Sequence, residues 1–231
     1  MTDYLIPPPA VASLRVLGSA ARFPVHRIYC VGRNFADHAR EMGAVAERGT
    51  PMFFMKPADA LVPDGGEVPF PPATNDLHHE VELVVALGRD AGGVVPVERA
   101  LELVFGYGVG LDLTRRDLQA IAKDKRQPWD IAKGFDHSAP ASALVPVAQC
   151  GHPAGQRLWL DVNGELRQQA PLSDMIFNVA EVIHELSRLF ALKAGDLVFM
   201  GTPAGVAALQ PGDSFRAGVD GLVEFSGRMG R

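Results

Sequence analysis

Residues 105–113 alternate without a break. Phe105, Tyr107, Val109, Leu111 and Leu113 fall on one face, and Gly106, Gly108, Gly110 and Asp112 on the other. This period of two predicts a strand with one packed face. The run from Glu80 to Leu87 is β-branched and strand-like, with Val81, Leu83 and Val85 as its apolar flank, and Arg27 to Val31 is an earlier strand ended by Gly32. Leu158 to Gln168 reads as a hairpin about Asn163-Gly164, a type I′ turn signal. The period changes after Asn178, where Val179, Val182, Ile183, Leu186, Leu189 and Phe190 form one helical stripe. Two shorter helices are predicted. One is capped by Asn34, with Asp37 three residues on and Gly43 as its stop; the other is capped by Thr114, with Asp117 at the third position, and runs to about Lys125. Residues 44–51 have no apolar period and read as a mobile loop beside the first helix. After Gly195-Asp196 come short strands broken at Gly201-Thr202-Pro203, Pro211-Gly212-Asp213 and Asp220-Gly221.

Strands dominate, helices are few, their order is not a repeating βαβ, and no internal repeat is found. The expected class is α+β, mainly β, with a largely antiparallel core. A chain of 231 residues suffices for one sizeable domain. Residues 1–24, rich in Pro and Ala, read as an N-terminal arm, and 25–231 as a single catalytic domain. With 47% hydrophobic and 21% charged residues, the mix is that of a globular protein rather than a disordered one. The net charge is -5 and the basic residues are scattered, which argues against a nucleic-acid surface or a polybasic membrane patch. Met-Thr-Asp-Tyr lacks the basic-then-apolar order of a secretory signal, and apolar stretches such as Leu101 to Leu113 are short and broken by glycines. Cys30 and Cys150 are too few for a disulfide framework. A soluble, cytoplasmic protein is expected.

Glu80 and Glu82 stand two apart in a strand, so their side chains leave the same face. Two adjacent carboxylates repel unless something positive lies between them. A solvated strand edge would tolerate the pair, but the apolar flank argues for a well-packed strand. Asp112 ends a strand whose own face is stripped to glycine, leaving space for a ligand, and it precedes a helix N-terminus that favours anions. Three carboxylates without paired Cys or His favour Mg²⁺ or Mn²⁺ over zinc, and His78 and His79 are expected to shape the approach rather than ligate. His38 and Glu41, at i, i+3 on the short helix, form either a surface pair or a general base oriented by a carboxylate on a lid. Lys133 lies in an apolar setting and needs a counter-charge; it is either a structural ion-pair partner or the ammonium that stabilises a developing enolate beside the carboxylates.

Other features carry less. Gly201-Thr202-Pro203 is not a nucleotide loop, and Gly106-x-Gly-x-Gly lacks the helix-opening context of a dinucleotide site. Cys30, among Ile, Tyr and Val, is expected to be a small buried residue, and His184 to be solvated on the polar side of its helix.

Six segments together resemble the fumarylacetoacetate hydrolase family. They are Cys-Val-Gly-Arg-Asn-Phe-Ala-Asp-His (30–38), Phe-Met-Lys-Pro (54–57), His-His-Glu-Val-Glu-Leu (78–83), Leu-Asp-Leu-Thr-Arg-Arg-Asp-Leu-Gln (111–119), Leu-Trp-Leu-Asp-Val-Asn-Gly-Glu (158–165) and Phe-Met-Gly-Thr-Pro-Ala-Gly-Val (199–206). The likeness runs from about residue 25 to the C-terminus and is similar to the compact acylpyruvase and fumarylpyruvate hydrolase branch. It implies a mixed β-sandwich roll with a short lid helix, usually a homodimer, binding Mg²⁺ or Mn²⁺. It also implies metal ligation by Glu80, Glu82 and Asp112, water activation by His38 and Glu41, the family lysine at Lys133, and substrate contacts from Arg116, Gln119 and Thr202. Phe35 stands where the family often has Tyr, a departure that removes one hydroxyl near the lid.

The resemblance further implies hydrolysis of a C–C bond in an acylpyruvate, fumarylpyruvate in aromatic-acid degradation being the foremost substrate. Decarboxylation of oxaloacetate or a related 2-oxo diacid would need the same metal but no attacking water, and a dioate isomerase or hydratase would fit the scaffold too. A catalytically silent metal- or metabolite-binding protein and a metal-independent Cys30 hydrolase are the remaining readings.

Overall fold

In a computed structural model of the protein, residues 3–41 and 48–231 are described. The alternating segments at Glu80–Leu87 and Phe105–Leu113 become the centre of the larger sheet. Numbered in chain order, β8 is Val81–Leu87 and β9 is Val104–Leu111; the two pair antiparallel. Around them lie β3 (Ile28–Val31), β4 (Phe53–Lys56), β5 (Leu61–Pro63), β11 (Ala139–Ala141) and β15 (Leu197–Phe199), in the order β4-β3-β15-β8-β9-β11-β5, with β12 (Val145–Pro146) also paired to β9. The second sheet, of five strands, has the order β14-β13-β17-β18-β6: Glu165–Pro171, Arg157–Val162, Ser214–Val219, Val223–Met229 and Gly66–Val68. The predicted hairpin is there, Asn163 and Gly164 both taking positive φ at the turn between β13 and β14.

The sheets face each other across the main core. Val81, Leu83, Val85 and Leu87 of β8 and Tyr107, Val109 and Leu111 of β9 pack with Leu158 and Leu160 of β13 and Phe215 and Ala217 of β17. The helix α6 (Val179–Leu189) adds Val179, Val182, Ile183 and Leu186 to this core, and its Asn178–Glu181 capping box is complete. Mostly β, with a curled sheet and few helices, the fold is the mixed β architecture that the resemblance implies. None of the described helices is long and apolar enough to cross a membrane.

Three local expectations need correction. Phe105 does not join the other aromatic and aliphatic residues of its alternation. The register slips between Ala86 and Leu87, opposite Phe105, and this residue packs in a second cluster, stacked on Phe23 with ring centroids 5.1 Å apart. Thr114 is no helix cap: it pairs with His78 in a small sheet of β10 (Thr114–Arg115), β7 (Leu77–His78) and β16 (Ala208–Leu209), and α3 (Arg116–Asp124) starts after it. Asp117 instead accepts from Thr74 and from the Asn75 and Leu118 amides. Within residues 1–24, two strands precede the first one predicted. β1 (Ser13–Arg15) and β2 (Arg22–Pro24) pair, and they bury Leu14 and Phe23 in the second cluster, on the opposite face of the larger sheet.

Candidate active site

β8 and β9 explain why three carboxylates meet. Val81 is registered against Leu111 and Glu82 against Gly110, and the ladder continues as the Asp112 amide donates to the Glu80 carbonyl (2.8 Å). Glu80 therefore lies across from Asp112, with Glu82 two residues along on the same face. All three are buried, and one oxygen of each lies within 4.8 Å of the others. The glycine face of β9 does not leave the ligand space expected of it. A Cβ on Gly110 would stand 2.7 Å from the Phe199 ring and 3.0 Å from the Pro140 carbonyl, so that room is already filled by protein.

Cations close around the cluster. Lys133, at the end of α4 (Asp130–Lys133), donates to Glu80 Oε2 (2.7 Å) and to Asp112 Oδ2 (2.6 Å). Arg116 reaches Glu80 Oε1 from the first turn of α3 and also donates to Gln119 Oε1 (2.7 Å). Lys56, at the end of β4, lies 2.8 Å from Asp112 Oδ1 and donates to the Leu113 and Lys133 carbonyls. Lys56, Lys133 and Arg116 thus surround Glu80 and Asp112, whereas Glu82 has no cationic partner among the described residues.

The charges act unequally. Burial alone would raise Glu80, yet Lys133, Arg116 and His38 hold its carboxyl well below the usual range. Burial, with Asp112 and Glu80 as like-charged neighbours, pushes Glu82 well above it, against the Gly201 amide that donates to Glu82 Oε2 (2.7 Å). Burial would lower Lys133, but Asp112 and Glu80 outweigh it and raise the ammonium.

The arrangement fits a hard divalent cation. All donors are carboxylate oxygens, and Asp112 Oδ1 is buried without an aligned hydrogen bond despite the nearby Lys56, an open acceptor where a ligand is expected. Neither neighbouring histidine reaches the cluster's oxygens: His78 pairs with Asp76 (2.9 Å) and accepts from Arg116 Nε (3.3 Å), and His79 pairs with Gln168 (2.9 Å).

His38 and Glu41 sit on α1 (Ala36–Glu41), with Nδ1 and Oε2 3.2 Å apart. His38 is buried rather than a surface residue, and Glu41 accepts from the Gly205 amide (3.1 Å). Asn34 is not the N-cap of this helix. Its side chain donates to the Phe177 and Met200 carbonyls and accepts from the Phe177 amide, tying the start of α1 to the strand end near Gly201. Gly201 has φ +90 and a Cβ there would meet Asn34 at 2.7 Å, so this junction needs glycine. The predicted stop at Gly43 and residues 44–47 of the following loop lie outside the described residues.

Thr202 is buried and its hydroxyl accepts from Gln168 Nε2 (2.8 Å). Sequence reasoning missed Gln168. Its Oε1 takes His79 and the Val81 amide while its Nε2 holds Thr202 and the Pro203 carbonyl, so one side chain of β14 clamps the Thr202 turn to the start of β8. Lys56 was also given no role, although it lies within the Phe-Met-Lys-Pro segment. Cys30 is fully buried, and burial, then the Asp112 charge, pushes its thiol well up, which removes it as a nucleophile. His184 is not merely solvated, since its Nδ1 donates to the Val95 carbonyl (2.8 Å).

Residues 27–229 match the family described as fumarylacetoacetate (FAA) hydrolase, C-terminal. The chain belongs to this family. It is 45% identical over 204 residues to the mitochondrial oxaloacetate tautomerase FAHD1 of Rattus norvegicus, covering 88% of this chain and 91% of that protein. It is 43% identical over 206 residues to the oxaloacetate tautomerase YcgM of Escherichia coli K12, covering 88% and 93%. Among solved structures, fumarylpyruvate hydrolase from Pseudomonas aeruginosa in complex with Mn²⁺ and pyruvate superposes with a TM-score of 0.96 at 48% identity, over 99% of both chains. The chain is thus an enzyme of the fumarylacetoacetate hydrolase family.

Proposed function

We propose that this enzyme hydrolyses acylpyruvates with Mg²⁺ or Mn²⁺ held by Glu80, Glu82 and Asp112, fumarylpyruvate being its foremost substrate. The observation that carries the hydrolytic step is the buried His38, 3.2 Å from Glu41. A bound divalent cation supplies Lewis-acid polarisation of the 2-oxo group. With Nδ1–H directed at Glu41, His38 Nε2 is the free acceptor that takes a proton from water. The resulting hydroxide attacks the distal carbonyl. The bond between that carbon and the pyruvate methylene then breaks, and its electron pair becomes the pyruvate enolate. Lys133, fixed by Glu80 and Asp112, offers its ammonium to the developing negative charge. The proton held by His38 returns to the enolate carbon. Arg116, Gln119 and Thr202 position the oxo acid, with Gln168 holding Thr202. Support comes from the 48% identity to the Mn²⁺- and pyruvate-bound fumarylpyruvate hydrolase.

A second reading has support of its own. The rat and Escherichia coli relatives are named oxaloacetate tautomerases, and enolisation or decarboxylation of oxaloacetate would use the carboxylates, the cation and Lys133 without an attacking water. Product analysis on one Mn²⁺-loaded sample separates the two. Release of fumarate and pyruvate from fumarylpyruvate supports hydrolysis, whereas turnover confined to oxaloacetate replaces it with the second reading.

A further inference from the structure

α4 is a single turn, Asp130–Lys133, and a helix of this length does not hold its own shape in water. Yet its last residue supplies the ammonium that bridges Glu80 and Asp112. Inside the turn the Gly134 amide donates to the Asp130 carbonyl (2.7 Å). The rest of what fixes Lys133 comes from outside. Its carbonyl, one of those that a helix end leaves open, accepts from Lys56 Nζ and from Ser138 Oγ (3.1 Å).

Lys56 joins this carbonyl to the segment that carries Asp112. The same ammonium donates to the Leu113 carbonyl (3.1 Å), one residue past Asp112, and the Leu113 amide donates to the Ser138 carbonyl (3.0 Å). Lys56, Lys133, Ser138 and Leu113 thus form a closed ring of hydrogen bonds, and all four are buried. The carbonyls, rather than the acid, set the direction of the Lys56 ammonium. Nζ stands 2.8 Å from Asp112 Oδ1, yet that oxygen has no aligned donor. An ammonium held for its charge alone would point at the carboxylate.

We propose that Lys56 is a positioning residue. It pins the end of α4 to the strand end beside Asp112, and so fixes where the Lys133 ammonium stands relative to that carboxylate. This rests on the reading of Lys133 as the group that meets the enolate. Lys56 acts on the reaction only through Lys133.

The first test uses the metal-free full chain and needs no turnover. Amide hydrogen–deuterium exchange is followed by mass spectrometry in Lys56→Met, which keeps the stem and removes the donors. Exchange over residues 131–138 should quicken by about tenfold or more, as for loss of a hydrogen bond from a charged donor, while β8 and β9 stay as protected as in the parent. Ser138→Ala removes one donor from the same carbonyl and no charge. It should quicken the same stretch by about threefold, and it carries the test should Lys56→Met not fold. The second test follows deuterium entering the pyruvate methyl group on the Mg²⁺-loaded chain by NMR, which reads enolate formation without any C–C cleavage. Lys56→Met should lower the rate at saturating pyruvate by about 10²-fold with KM near the parental value. Unchanged exchange over residues 131–138, loosening spread equally over β8 and β9, or a loss carried by KM alone overturns the proposal. A parent that exchanges no pyruvate protons would count against the enolate reading of Lys133, and the metal-free measurement would still decide whether Lys56 is the pin.

Discussion

Lys133 Nζ stands 2.6 Å from Asp112 Oδ2, an ammonium bonded to a carboxylate where both are almost completely removed from water. Its second bond, to Glu80, makes it the shared counter-charge of two acids. Removing one partner of such a pair leaves buried charge uncompensated, at a cost of about 3–5 kcal/mol. Lys133→Met should therefore lower stability by that amount in metal-free protein, as measured by urea unfolding, and should cut turnover by about 10²–10³. A variant of parental stability would show that the acids release their charge without Lys133.

Metal removal follows from the same crowding. Chelator should abolish activity, and Mg²⁺ or Mn²⁺ should restore it. Saturation at one hundred times the dissociation constant should add about 2.7 kcal/mol to stability, seen as a rise in Tm. Asp112→Asn keeps the shape but not the charge, and calorimetric titration with Mn²⁺ should show clearly weaker binding. Undiminished turnover without metal would remove the cation from the reaction.

His38→Gln should reduce acylpyruvate hydrolysis by about 10²–10⁴, the usual effect of losing a general base. Glu41→Gln should do so more mildly, because the Gly205 amide donates to Glu41 and can also donate to the amide oxygen. Mn²⁺ affinity should stay at the parental value in both. Oxaloacetate turnover, which needs no water attack, should fall much less, and equal loss of both activities would assign His38 to the substrate or metal site instead.

Cys30 keeps its proton in the folded state because burial and the Asp112 charge raise it. An iodoacetamide reaction at pH 8 should leave Cys30 unlabelled until denaturant is added, and Cys30→Ala should keep its turnover. The sign for stability is also fixed. The unfolded thiol ionises above about 8.5 while the folded one does not. This contribution is thus intact below that pH and is lost as pH rises through it. Rapid labelling of the native thiol would contradict this picture.

The metal-type carboxylates were legible because a strand's period of two makes Glu80 and Glu82 neighbours whatever the tertiary fold. Asp112 was legible as a strand end, although the reason given for its open surroundings was wrong. The space above Gly110 belongs to Phe199, which sequence places 89 positions away. Asn34 and Thr114 look like helix caps locally, but long-range partners, Phe177 and Met200 for one and His78 for the other, had stronger claims. Gln168 and Lys56 carried no local signal. A lone amide in a hairpin and a lone lysine at a strand end acquire roles only when distant strands bring acids and hydroxyls to them. The hairpin turn and the Asn178 helix came out as read, since their signals are complete within a few residues.

Lys56, Lys133 and Arg116 already neutralise Glu80 and Asp112 before any cation enters, while burial and its like-charged neighbours push Glu82 toward its protonated form. A dication bound there with all three acids ionised leaves two positive charges in surplus in a region that water hardly reaches. An oxo acid on its way to an enolate carries up to two negative charges. Metal and oxo acid should therefore raise each other's affinity by the same factor, a reciprocity required by thermodynamic linkage. Titrated with Mn²⁺ alone, the protein would look like a modest metal binder; titrated in the presence of pyruvate, it would look like a much tighter one.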